Sequence, residues 1–129
     1  MTTLIICLFI AMILPYLVKL PIGYSMQKAL GGYNNRQPRE QQASLTGFGA
    51  RAVGAHQNCF ESLIIFSTAV LTALVTNHVS STIQILAVVY IVSRFIYILF
   101  YLMDLASSRS TVWFIGLMCC LSIMWLSIP

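Results

Sequence analysis

The stretch Arg51-Ala-Val-Gly-Ala-His-Gln-Asn-Cys-Phe-Glu61 places an arginine, an amide and a carboxylate among apolar neighbours. On an α-helix turning about 100° per residue, Arg51, Gly54, Ala55, Asn58 and Glu61 fall within a sector of roughly 120°. Polar and small side chains therefore share one face. A charge held well inside a bilayer costs at least ~2.5 kcal/mol, so such residues are paired, turned away from lipid, and as a rule functional. Read this way, the stretch opens a membrane-spanning helix that carries a site.

Composition supports the membrane reading. A chain of 129 residues with 59% hydrophobic and 8% charged side chains is too apolar for a soluble domain of that size. Four apolar segments approach the ~20 residues that a spanning helix needs: Thr3 to Leu20, Arg51 to Val75, Thr82 to Met103, and Val112 to Pro129. They predict an all-α integral membrane protein, a four-transmembrane-helix antiparallel bundle forming a single domain over residues 1–129. A polar connection from Pro21 to Ala50 joins the first two helices. The first segment lacks a basic leader, and no small-x-small pattern follows Lys19-Leu20-Pro21, so it reads as a retained helix and not a cleaved signal peptide. Pro15 is a place where that helix can kink. Ser44 or Thr46 is suited to cap the second helix.

The basic residues orient the bundle. Lys28, Arg36 and Arg39 lie in the first connection, with Lys19 and Arg51 at its borders, and Arg109 lies in the third. The middle connection, Thr76-Asn-His-Val-Ser-Ser81, has no lysine or arginine, and neither do the termini. The positive-inside rule then puts both termini on the non-cytoplasmic side. The net charge of +4 is accordingly one-sided and suited to lipid headgroups. No basic patch with interleaved aromatics points to nucleic acid.

At 1.5 Å per residue, Glu61 lies roughly 15 Å beyond Arg51, and Arg94 lies roughly 14 Å from Met103 on the antiparallel third helix. The two charges come level, which predicts a buried ion pair between Glu61 and Arg94. Asn58 comes level with Tyr97, and Tyr101 with Arg51. Arg94, Tyr97 and Tyr101 share about 60° of their own helix. One ion pair does not account for this many polar groups, so a binding site is expected where the two faces meet.

Together these residues resemble the MAPEG family, the membrane-associated proteins in eicosanoid and glutathione metabolism. The resemblance rests on Arg51-x-x-x-Ala55-His56-x-Asn58-x-x-Glu61 at the start of the second helix, Arg94-x-x-Tyr97-x-x-x-Tyr101 on the third, and Arg109 just before the fourth. The element Arg109-Ser-Thr-Val-Trp113 is similar to one in the poorly characterised bacterial branch. The resemblance implies a homotrimer in the bacterial inner membrane that holds glutathione as cosubstrate near the cytoplasmic face. It implies a glutathione site made of Arg51, Asn58, Glu61, Tyr97 and Tyr101, with Arg109 as the catalytic group that stabilises the thiolate. The activity implied is that of a transferase or peroxidase acting on a lipophilic electrophile drawn from the bilayer. Arginines can pair bidentately with the tripeptide's carboxylates, and a cation near sulfur lowers a thiol's pKa. Gly54 stands where eicosanoid-forming members carry a second arginine, Gln57 where some carry another basic residue, and Trp113 where some have a tyrosine.

Other features read more plainly. Cys7, Cys59, Cys119 and Cys120 lie in or beside apolar segments without a CxxC motif, as small buried hydrophobes do. His56 and Cys59 have no further ligands with metal-site spacing. His56 points some 140° from Arg51, towards lipid headgroups or a neighbouring subunit. Gly54, Ala55 and Ser62 allow helices to approach closely. Two other functions compete: a non-catalytic membrane protein of the MAPEG fold, and a small four-helix multidrug transporter. The transporter would carry its proton-exchanging acid in the first helix, which has none.

Overall fold

A computed structural model describes residues 1–129 and contains five helices. These are α1 (Thr2–Lys28), α2 (Pro38–Ser44), α3 (Gly47–Val75), α4 (Ser81–Leu102) and α5 (Ala106–Leu126). All but α2 are long and apolar enough to cross a membrane. The 29 residues of α3 span about 43 Å at 1.5 Å each, so this helix projects past a hydrocarbon layer of about 30 Å.

Three helix ends depart from the sequence expectation by four residues or more. Helix α1 does not stop at Leu20 but runs through Pro21 to Lys28. Proline removes one donor and leaves the rest of the helix able to continue, and the extra turns bury Ile22 and Met26 against Ala52 of α3. The Ser25 hydroxyl donates to the Pro21 carbonyl at 2.9 Å. Helix α3 begins four residues early, at Gly47, and Thr46 occupies its N-cap position without bonding through its side chain. Helix α5 begins at Ala106, so Arg109 belongs to its first turn and not to a loop.

The connection from Pro21 to Ala50 is also more ordered than a loop. It contains α2, started by Pro38 in the position where a missing N–H is harmless. Gln41 holds the segment together: its amide nitrogen donates to the carbonyls of Gly32 at 2.8 Å and Met26 at 3.3 Å, and its oxygen accepts from the Asn34 backbone at 2.9 Å.

Helices α3 and α4 end in the same way. Asn77 and Asp104 adopt φ of 60° and 63°, a left-handed conformation in which these two residue types are at home. In each case the following N–H reaches back to close the helix, His78 to Ala73 and Leu105 to Phe100, both at 2.9 Å. The α4–α5 turn is therefore tight, which sets Arg109 directly beside the end of α4.

The main core draws on all four long helices, through Leu4, Cys7, Phe66, Val70, Tyr90 and Ile123 among others. Alanines and cysteines fill much of the remainder, as expected where helices in lipid gain by close approach. The Tyr90 ring stacks on Phe66 at 3.9 Å, and its hydroxyl lies 2.6 Å from that of Ser62. All four cysteines are buried and unpaired, in keeping with their reading as small hydrophobes. Towards the first connection the core thins to two small clusters around Ala55 and Ala52, and there α3, α4 and α5 part to form a cleft.

Candidate functional site

Asn58 is the hub of this cleft. Its side-chain oxygen accepts a 2.7 Å hydrogen bond from Nη2 of Arg94, and its nitrogen donates at 3.1 Å to Oε2 of Glu61. Only this orientation of the amide turns its acceptor to the cation and its donor to the anion. The direct Glu61–Arg94 ion pair expected from the level arithmetic is thus replaced by a relay, because Asn58 stands between the two. The cause lies in the length of arginine. The Arg94 guanidinium folds along α4 and sits 4.2 Å over the Tyr97 ring, a turn nearer the first connection, where Asn58 is the residue across from it. Arg94 is 2% exposed and has no carboxylate within 4.0 Å, whereas Glu61 is exposed.

A second arginine–tyrosine stack lies one turn further on. The Arg109 guanidinium stands 4.1 Å over the Tyr101 ring, and Tyr101 meets Tyr97 edge to face at 5.6 Å. Arg94, Tyr97, Tyr101 and Arg109 thus form a continuous ladder along the cleft side of α4. Cation–π contacts of this kind orient guanidinium groups in places where no acid is at hand.

The cleft has two compartments. The outer one, about 220 Å³, is lined by Asn58, Tyr97, Tyr101, Arg109, Ser110 and Trp113. The inner one, about 110 Å³, has Glu61, Ser62 and Arg94 on its polar side and Ile65, Leu117 and Cys120 on its apolar side. Asn58 and Trp113 line both and form the boundary between them. Apart from Arg109, the wall from α5 was the part that sequence reasoning did not place at the site. Its signal was available: Arg109, Trp113, Gly116 and Cys120 recur at helical spacing and form one stripe.

Arg51 is not brought to the cleft. Its Nε donates to the Leu102 carbonyl at 3.3 Å, and its Nη1 lies 3.9 Å from Asp104. It occupies the C-terminal end of α4, where orphan carbonyls and the helix dipole favour a cation. His56 also differs from expectation. It does not reach lipid headgroups or a neighbour but is buried, with Nδ1 2.8 Å from the Pro15 carbonyl and its ring edge-on to Phe60. Packing of α1 on α3 brings that carbonyl to it, which a helical wheel of α3 alone does not reveal. Of the residues expected at the site, Asn58, Glu61, Tyr97, Tyr101 and Arg109 converge, and Arg94 joins them.

Comparison with known proteins gives one match. The model of the MAPEG family matches residues 3–129, essentially the whole chain. No curated protein and no solved structure matches it.

Proposed function

Since the chain belongs to the MAPEG family, we propose that it is a glutathione-dependent membrane transferase or peroxidase that acts on lipophilic electrophiles as a homotrimer. The observation that carries this reading is Arg94: a guanidinium that is 2% exposed, faces a cleft and has no carboxylate partner. Buried charges are ordinarily paired, because desolvation costs several kcal/mol per ion. An anionic ligand would supply the missing partner.

The groups around the cleft suit glutathione. That tripeptide brings two carboxylates, one ammonium and a thiol, and the cleft offers two guanidiniums, one carboxylate, an amide and two phenols. The two compartments together reach the lower end of the ~300–1,000 Å³ usual for small-molecule sites. In this reading Arg94 pairs with a carboxylate, Glu61 accepts from the ammonium, and Asn58 holds both side chains in place. Tyr97 and Tyr101 line the outer compartment, and Arg109 faces the sulfur. Arg51, engaged at the end of α4, is left out of the site.

Arg109 acts by favouring the ionised thiol, whose proton passes to water. The sulfur then attacks an electrophilic carbon, forming a C–S bond while a halide leaves or a C–O or conjugated π bond breaks and the resulting anion takes a proton from water. With a peroxide it takes one oxygen as the O–O bond breaks, giving an alcohol and a sulfenic acid, which a second glutathione reduces to the disulfide and water. The apolar inner wall opens the site to acceptors partitioned in lipid. Glu61 supports assembly with further copies of the chain, and a total of three is what the family resemblance implies. Glu61 lies about 21 Å along α3 from Gly47, and an exposed carboxylate at that depth is costly unless another copy covers it. By the positive-inside rule, both termini lie on the non-cytoplasmic side of a bacterial inner membrane.

Purified protein given saturating glutathione should develop the ultraviolet absorbance of a thiolate. No thiolate and no glutathione binding would leave a scaffold of the same fold as the better reading. A drug-efflux assay separates both from a transporter, a reading weakened by the absence of any acid in α1.

A further inference from the structure

Gly54 of α3 lies so close to Tyr101 of α4 that no side chain fits at position 54 while the Tyr101 ring keeps its place. A β-carbon built there would overlap the Tyr101 hydroxyl and stand 2.8 Å from its Cζ, well inside contact distance. The same ring carries the Arg109 guanidinium at 4.1 Å and meets Tyr97 edge to face. Tyr101 is thus seated between the bare backbone of one helix and a cation from another.

Little else in the protomer orients that cation. The Arg109 side chain makes no hydrogen bond, and the ion pair formed at this end of the bundle is Arg51–Asp104. It also lies in the first turn of α5, where the positive end of the helix dipole repels it. A long, flexible side chain in such surroundings moves away to solvent or headgroups unless a surface holds it. The Tyr101 ring is the surface that meets it.

We propose that Tyr101 is a positioning residue for Arg109: its ring, seated against Gly54, holds the guanidinium over the outer compartment and thereby sets the acidity of the thiol bound there. The inference deepens the glutathione reading above and rests on it. The stabilisation of a thiolate by a cation falls with their separation, so a displaced guanidinium leaves a weaker acid without removing any group that reacts. Gly54 contributes by what it lacks. It lines neither compartment, yet any side chain there pushes the ring away.

The test is a titration of thiolate absorbance against pH, with the full-length protein in lipid nanodiscs and glutathione kept saturating. Tyr101→Leu and Gly54→Ala should each raise the midpoint by about one pH unit, the scale on which a neighbouring cation acts. Tyr101→Phe keeps the ring and should keep the original midpoint. Gly54→Ala introduces a better helix former, so its helix is not at risk, and Tyr101→Leu, which keeps Gly54, introduces no clash. The proposal is overturned if both leave the midpoint where it was, or if Tyr101→Phe shifts it as far as Tyr101→Leu, which would assign the effect to the hydroxyl. Absence of a thiolate in the unsubstituted protein overturns the glutathione reading itself. That failure is read before any variant is made, and is thereby distinct from a failure of positioning.

Discussion

Arg94 and Glu61 face the same cleft from adjacent helices, yet they meet only through Asn58, which accepts from one at 2.7 Å and donates to the other at 3.1 Å. The amide makes one cationic and one anionic side chain interdependent while leaving both with capacity for a ligand. A closed ion pair would have spent that capacity within the protein.

Asn58 should therefore matter more to stability than Glu61. Loss of a hydrogen bond to a buried charge costs about 1.5–3 kcal/mol, so Asn58→Ala should lower stability by that order, and Glu61→Gln, which keeps an acceptor for the amide, by clearly less. Thermal unfolding in detergent gives both values. A double-mutant cycle of Asn58→Ala with Arg94→Met should show coupling above about 0.5 kcal/mol. Zero coupling would remove Asn58 from its place between the charges.

Replacement of Arg109 should separate binding from activation. A free thiol of pKa ~8.5 is mostly protonated at neutral pH, and a nearby cation lowers that value. Arg109→Ala should abolish the thiolate absorbance and most turnover while glutathione still binds by calorimetry. An undiminished thiolate signal in this variant would assign activation to another group.

Arg51 should behave as a helix-end residue. Its partner Asp104 is largely exposed, and exposed pairs contribute about 0–1 kcal/mol, so Arg51→Ala should destabilise by no more than that and leave glutathione affinity unchanged. A tenfold rise in the dissociation constant would show that Arg51 belongs to the site after all.

Topology can be read by labelling. With the four native cysteines replaced, Asn35→Cys in the exposed first connection should react with an impermeant maleimide only from the cytoplasmic side of sealed vesicles. A cysteine placed before Thr2 should react only from the opposite side. The reverse pattern would invert the bundle and move the cleft to the other face of the membrane.

How much of this was legible beforehand depends on the length over which each signal is read. The spans were visible because some twenty apolar residues in succession outweigh any local exception, and α4 was placed within one residue at each end. Ends set by packing were not visible. Pro21 reads as a stop until Ile22 and Met26 are seen buried against α3. The start of α5 looked like a loop because Ala106 to Thr111 are polar or small, although nothing in them resists a helix.

What the sequence determined by itself was the number of spans, the family, and the faces of α3 and α4 that carry polar groups, because run length, motif and helical periodicity depend on residue identity and spacing alone. What only the tertiary structure decided was which polar groups meet. Spacing says nothing of how one helix is rotated or shifted against the next, and an arginine reaches across a full turn. Hence Arg94 found Asn58 in place of Glu61, Arg51 closed the end of α4 outside the cleft, His56 found a carbonyl of α1, and Arg109 came to rest on a tyrosine held in place by the absence of a side chain at Gly54.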